Sequence, residues 1–234
     1  MSDADGPPLG ELLERASSGW ARPERRVIEG RLLRLEPLSL ARHAADLLEA
    51  SHRDERARAV WTYLFQGPFP DRAAYEAWLE GAERSEDPLF FALVDTADGR
   101  AKGQASLMRI TPEMGVIEVG NIWYAPAVQR TALPTEAMLL LFSYVFDELG
   151  YRRLEWKCNA LNAASRRAAD RLGFAYEGTF RQHMVVKGRN RDTAWYAITD
   201  RDWPGVGAAL RAWLNPGNFD EAGRQRRRLE ELRT

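Results

Sequence analysis

The chain has 234 residues, enough for one large domain or two small ones, and 45% of them are hydrophobic, ample for a packed core. A formal net charge of −1 supplies no field that would draw it to nucleic acid or to a membrane surface, and no apolar run approaches the ~18 residues of a transmembrane helix. The single cysteine, Cys158, excludes an internal disulfide framework, and the acidic start MSDADGPPLGELLERASSG lacks the order of a signal peptide, so a reducing, cytoplasmic setting is the default expectation.

Residues 1–29, rich in Gly, Pro, Ser and charge, read as an N-terminal extension. Residues 32–38 predict a first strand that ends at a proline, and 39–52 carry helical spacing through Leu40, Ala44, Leu47 and Leu48. An aromatic loop follows, with Trp61, Tyr63, Phe65 and Phe69, and 71–84 return to a helical period. Residues 89–95 are a near-continuous apolar strand, Asp98-Gly99 turns it into a hairpin with 103–110, and 116–124 is the next strand. Residues 134–149 form an amphipathic helix with Pro134 in its first turn and Gly150 at its end. A strand at 154–157, a helix at 162–172, and strands at 174–186 and 194–199 around a polar turn complete the pattern. Residues 200–214 and 220–233 predict helices, the second rich in arginine, which reads as a solvated face without the interleaved aromatics of a nucleic-acid site. This order implies an α/β (α+β) fold with a mixed seven-stranded central sheet flanked by helices over residues 30–200, and a C-terminal helical segment at 201–234.

The most informative stretch is 153–178, RLEWKCNALNAASRRAADRLGFAYEG. Asn162 suits a helix N-cap, Ser165 sits where capping is shared, and Gly173 suits the left-handed residue after the last turn, with Phe174 folding back onto it. Capping accounts for each residue type singly; the whole string in this order is more specific. It resembles the acyl-CoA-binding half of the GNAT N-acetyltransferases, closest to the RimJ/RimL-like branch, and the element order matches that family's topology. The resemblance implies the acyl-CoA N-acyltransferase fold. It also implies transfer of an acetyl group from acetyl-CoA, a co-substrate, to a primary amine on a peptide, a protein N-terminus or a small molecule, by direct attack on the thioester. The rival readings are a longer acyl donor and a non-catalytic acyl-CoA-binding or dimerisation module. Dimers are common in the family, and the C-terminal helix is the candidate contact for a homodimer.

In the family, a loop after the fourth strand runs Gln/Arg-x-x-Gly-x-Gly/Ala and binds the CoA pyrophosphate, because a helix N-terminus offers unpaired N–H groups and a positive dipole end. The matching segment is Gln129-Arg130-Thr131-Ala132-Leu133-Pro134-Thr135. Gln129 and the Thr-Glu-Ala that follows fit, whereas Ala132 and Pro134 replace both glycines, restricting the backbone at one and removing a donor at the other. Arg130 can compensate with a direct charge. The preceding strand is expected to splay at a bulge, so that backbone groups of Ile122, Trp123 and Tyr124 pair with the pantetheine arm. Gly120 suits either that bulge or close packing. The resemblance places Asn162 on the pantetheine arm or acyl region, with Ser165 along the same groove.

Direct transfer requires a deprotonated amine and a protonated or solvated leaving thiolate. Glu118 is the candidate base, acting through a water, or else a salt-bridge residue. On an alternating strand it shares no face with Asn121 unless a bulge intervenes. The tyrosine that many family members carry as general acid has no counterpart here, so the acid is unassigned, and either Ser165 hydrogen-bonds the leaving sulfur or a water serves. Trp61, Tyr63, Phe69 and His183 are the candidate acceptor residues, with half of the aromatics expected to plug the core instead. Arg181, Lys187, Arg189, Arg191 and Asp192 suit either an acidic acceptor or solvent. Cys158 reads as a buried structural thiol, and His43 and His52 as surface residues. Three scattered histidines and one cysteine give no metal-ligand spacing.

Overall fold

The computed structural model describes residues 7–13, 15 and 18–233. Its strands are β1 (Ile28–Glu29), β2 (Leu33–Pro37), β3 (Leu89–Asp95), β4 (Ala101–Thr111), β5 (Val116–Tyr124), β6 (Arg153–Asn159), β7 (Ala175–Val186) and β8 (Arg189–Thr199). The helices are α1 (Leu40–His52), α2 (Glu55–Arg58), α3 (Arg72–Arg84), α4 (Leu133–Ser143), α5 (Ala163–Leu172) and α6 (Trp203–Leu214). The strands form one mixed sheet in the order β1-β2-β3-β4-β5-β6-β8-β7, in which only β5 and β6 run parallel. The strand beyond the expected seven is β1, a two-residue pairing of Ile28 with Leu35 that is too short to show a period.

Helices cover both faces of the sheet, which is why β3 reads as a continuous apolar run: all but its last residue are buried. On one face Leu33, Phe91 and Leu107 pack against Leu141 and Phe142 of α4 and Leu210 and Trp213 of α6. On the other, Leu47 of α1 and Tyr75 and Leu79 of α3 enclose Trp61, Phe90 and Ala92. At ~1.5–3 kcal/mol per fully buried large apolar side chain, these two layers supply the bulk of the folding drive.

The C-terminal segment departs from expectation. Instead of a helix over 220–233, it holds a strand-like bridge between Phe219 and Gln225 and one short turn, Leu229–Leu232. Side chains take over the backbone's bonding there: Asp220 Oδ1 accepts from the amides of Ala222 and Arg224, and Asn218 bonds both the amide and the carbonyl of Arg227. Asp and Asn compete with helix in this way, and Gly223 sits at φ +72°.

Two irregularities shape the centre of the sheet. β5 pairs with β6 only over Val116–Glu118 against Arg153–Glu155. Past Glu118 the strands part, leaving that edge of β5 without a strand neighbour. On its other side, Gln104 pairs with Trp123 but Ser106 pairs with Gly120, so Asn121 and Ile122 together oppose Ala105. This is a bulge, with Asn121 in the left-handed region at φ +51°. Gly120 serves close packing, since a Cβ there would meet Met108 Sδ at 2.5 Å.

Candidate active site

The parting of β5 and β6 opens a groove of about 1080 Å³. Its floor is β5 from Glu118 to Tyr124, one wall is α5, and one end is the loop entering α4. The segment 59–65 closes the end near Glu118, and Trp213, Phe219, Arg224 and Gln225 of the C-terminal segment close the other. Among the lining residues, seven side chains are cationic (Arg109, Arg130, Lys157, Arg167, Arg171, Arg191 and Arg224) and only Glu118 is anionic. In a chain of net charge −1, this concentrates positive potential in one cleft, suited to a polyanionic ligand.

At the α4 end, the left-handed residue is Arg130, at φ +65°, while Ala132 adopts ordinary helical angles as the N-cap. The loss of glycine at Ala132 therefore imposes no backbone strain. Pro134 falls in the first turn of α4, where its missing N–H costs no helical bond. The amides of Gln129, Arg130 and Ala132 carry no hydrogen bond among the described residues. Gln129 Nε2 donates to the Tyr124 carbonyl at 3.0 Å, tying the loop to the end of β5, and Thr131 Oγ1 accepts from the Leu133 amide. Arg171 donates to Thr135 Oγ1 at 3.0 Å and stacks on Trp213, and burial lowers its pKa.

Along α5, Ala164, Ser165, Ala168 and Arg171 share the face turned to the groove. Asn162 caps the helix, its Oδ1 accepting from the Ser165 amide at 3.1 Å, so its amide nitrogen stays free to donate. Ser165 Oγ accepts from Trp156 Nε1 at 3.0 Å and retains its own proton.

Beneath the groove, Glu118 is buried, and its Oε2 accepts from Arg109 at 2.9 Å and Lys157 at 3.0 Å. Lys157 also pairs with Glu155 at 2.5 Å and lies 3.9 Å over the Trp195 ring. Glu118 Oε1 takes no ion pair among the described residues and lies on the Gly120 side. The bulge turns Asn121 into the same groove as Glu118 and Gly120. Tyr124 also lines the groove, and burial holds its hydroxyl above the ordinary phenol value, so it stays protonated. Cys158 is buried and its thiol is pushed up by burial, as a structural cysteine would be.

Of the expected site residues, Glu118, Ile122, Trp123, Tyr124, Gln129, Arg130, Thr131, Ala132, Pro134, Thr135, Asn162, Ser165 and Tyr63 line this one groove. Four do not. Leu133 is buried toward the main core. Trp61 is 1% exposed, packed edge-on against Phe69 and Trp78, and Phe69 packs against the same cluster, so neither presents its ring to the groove. His183 lies outside the groove among exposed residues, with Nδ1 3.0 Å from Thr193 Oγ1 and its ring beside Phe180 and Trp195. The other two histidines were expected at the surface, but His43 is buried and His52 half-buried. His43 Nδ1 accepts from the Ser39 amide, with Nε2 3.3 Å from Glu36; His52 Nε2 accepts from the Phe69 amide at 3.0 Å.

Sequence reasoning missed Lys157, Arg109 and the C-terminal lining residues, whose proximity comes from long-range pairing. It also missed Arg167 and Arg171, which helical spacing could have found, since they lie three and seven residues after Ala164 on the face turned to the groove. Among the described residues no cluster of three or more His, Cys, Asp or Glu side chains is placed to hold a metal, and no helix is long and apolar enough to cross a membrane.

A parallel strand pair that splays over a cationic, helix-walled groove is the arrangement that the resemblance to the acyl-CoA N-acyltransferase fold implies. Comparison with known proteins makes the assignment particular: residues 32–175 match the acetyltransferase (GNAT) domain family, and the chain belongs to that family. It is similar to a solved GCN5-related N-acetyltransferase from Brucella melitensis, at 52% identity over 92% of this chain and 97% of that one, with a TM-score of 0.89. It is 31% identical over 108 residues to the Bacillus subtilis (strain 168) protein named "Putative ribosomal N-acetyltransferase YdaF". That match covers 46% of this chain and spans 58% of the length of YdaF. RimJ of Mycobacterium smegmatis, solved in complex with CoA-disulfide, shares the fold at 21% identity and a TM-score of 0.65, covering 80% of this chain and 90% of that one. These names agree with the RimJ/RimL-like resemblance of the sequence.

Proposed function

We propose that this acyltransferase moves the acetyl group of acetyl-CoA to a primary amine by direct attack of the amine on the thioester. The observation that carries the reading is the unpaired edge of β5 past Glu118, which runs toward a loop with free amides and arginine side chains. A polyanionic pyrophosphate suits Arg130, Arg171 and the loop amides, and the pantetheine arm suits the open edge at Ile122–Tyr124 and the Asn162 amide.

Glu118 Oε1 takes the ammonium proton through a water, while Arg109 and Lys157 hold Oε2. The amine nitrogen bonds to the carbonyl carbon, the C–S bond breaks, and the second proton of that nitrogen passes to the leaving sulfur, which accepts a hydrogen bond from Ser165 Oγ, so that the amide and free thiol result. Tyr63, on the loop facing this end, borders the acceptor. We assign the transferase unit to residues 30–200, with 1–29 as an extension and 201–234 as a segment that lends Trp213 and Arg224 to the groove. A reducing, cytoplasmic setting fits the lone buried thiol, and a homodimer is carried over from the family.

The test is thiol release from acetyl-CoA by the purified protein, with and without a panel of amines, and mass detection of the N-acetylated product. Thiol release that depends on the amine, one product per thiol, supports the reading. Release independent of every amine overturns it. Substituting longer acyl-CoAs in the same assay decides the donor.

A further inference from the structure

Arg191 is the one buried guanidinium of the groove that the transfer chemistry above does not use. It lies on β8, is 6% exposed, and lines the groove. Its Nε has no hydrogen-bond partner, and it forms no ion pair among the described residues. A buried cation is ordinarily paired, because taking it from water unpaired is costly.

The candidate carboxylates, Glu118 and Asp192, are engaged elsewhere. Glu118 is held by Arg109 at 2.9 Å and Lys157 at 3.0 Å. Asp192, next in sequence, accepts from the Gln182 amide and from Asn190. The guanidinium lies over the Phe65 ring, 4.9 Å from its centroid. Burial lowers its pKa, and the charged groups that act on it are Glu118 and Arg109 at the splay of β5 and β6.

That location decides what the missing anion is. The phosphate-binding loop begins past the end of β5, and Glu118 lies six residues before Tyr124, roughly 20 Å at ~3.3 Å per residue. The thioester end of acetyl-CoA carries no charge. A counter-ion for Arg191 must therefore arrive with the acceptor.

We propose that Arg191 is the residue that selects the acceptor, holding a carboxylate of the amine substrate in its fork, so that the enzyme acts on amines that carry a carboxylate and not on polyamines. This rests on the acetyl-transfer reading of the groove. A planar guanidinium presents two parallel N–H donors to a carboxylate, a geometry a cationic or neutral acceptor cannot use. The chemistry is shared by a free acidic amino acid and by a peptide whose first residues are acidic.

Two arms test it on the full chain. In the first, the CoA-saturated protein is titrated calorimetrically with glutarate, a dicarboxylate without an amine. Binding to the wild type that is lost in Arg191→Met and weakened in Arg191→Lys supports the proposal; no binding, or equal binding to wild type and Arg191→Met, overturns it. In the second, kcat/KM is compared for glutamate, for a peptide beginning Asp-Glu, for the carboxamide counterpart of each, and for spermidine. The carboxylate forms are expected to be preferred by about tenfold or more, the worth of a hydrogen bond to a charged group. Arg191→Met should erase that ratio through KM while leaving acetyl-CoA affinity unchanged. Whichever of glutamate and the peptide keeps the larger ratio identifies the source. An unchanged ratio in Arg191→Met, or a preference for spermidine, overturns the proposal. If no amine is acetylated, the transfer reading fails, and the glutarate arm still decides whether Arg191 is an anion site.

Discussion

Replacing Glu118 by glutamine separates a chemical role from a structural one. The substitution keeps the shape and removes one charge. Oε2 now accepts from Arg109 at 2.9 Å and Lys157 at 3.0 Å, but Lys157 keeps Glu155 at 2.5 Å, and the Arg109 side chain is 40% exposed and can turn to water. The folding cost is therefore that of weakened charged hydrogen bonds, about 1–3 kcal/mol. Domains of this size typically have about 5–15 kcal/mol, so the variant stays folded. Loss of a general base lowers kcat/KM by ~10²–10⁴-fold, about 3–5 kcal/mol of transition-state stabilisation. The assay is steady-state thiol release across neutral to alkaline pH, paired with calorimetry of acetyl-CoA. Affinity for acetyl-CoA should hold, and the deficit should shrink as pH rises, because the free amine then needs no base. Wild-type turnover at every pH would refute the reasoning.

Asn162→Ala should lose about 1 kcal/mol of stability with its cap and also weaken acetyl-CoA binding, whereas Asn162→Asp keeps the cap and loses only the amide donor. Urea unfolding and calorimetry on both variants check this, and full affinity in Asn162→Asp would contradict the contact with the donor. Lys157→Met leaves Glu118 to Arg109 and Glu155 to Arg153 but removes the buried cation they share, and should cost about 1–3 kcal/mol in chemical denaturation, partly recovered on adding Glu118→Gln. A loss below about 1 kcal/mol would mean the pairs behave as surface ones. Burial and the nearby Arg58 hold His52 below the ordinary histidine pKa, and its Nε2 accepts from the Phe69 amide, a bond the protonated ring cannot make. The unfolded histidine takes up its proton near pH ~6.5 while the folded one stays neutral. Stability is therefore full above that pH and declines as pH falls below it. The urea midpoint followed through mildly acidic pH should show this slope, and His52→Ala should flatten part of it; an identical slope in the variant would contradict the assignment.

The fold was legible where periodicity and capping are strong. Strands 89–95 and 116–124 have the expected bounds because one is continuously apolar and the other ends at a proline-containing turn, and α5 begins after Asn162 as its capping chemistry implied. The C-terminal helix failed because Asp220 and Asn218 bond their own neighbourhood more effectively than a helix would. Alternation along β5 left Glu118 and Asn121 on opposite faces unless a bulge intervened, and the bulge does intervene. The residues of the α4 loop and α5 that line the groove were readable because they are local in sequence. Trp61 and Phe69 illustrate the limit: an aromatic loop has the same composition whether it lines a pocket or plugs a core, and only packing against Tyr75 and Trp78 decides. The Lys157–Glu118 pair was hidden because strand pairing across the sheet brings it together, and Arg191, readable as facing either an acidic acceptor or solvent, is shown to be buried in the groove only by that same pairing.

Calorimetric titration of the purified protein with acetyl-CoA, with CoA for comparison, tests the central claim most directly. Micromolar, one-to-one binding is expected, because Ala132 sits at unstrained helical angles and Arg130 and Arg171 line the end of the groove proposed for the pyrophosphate. Absence of binding at saturating acetyl-CoA would contradict the assignment of this groove to the donor.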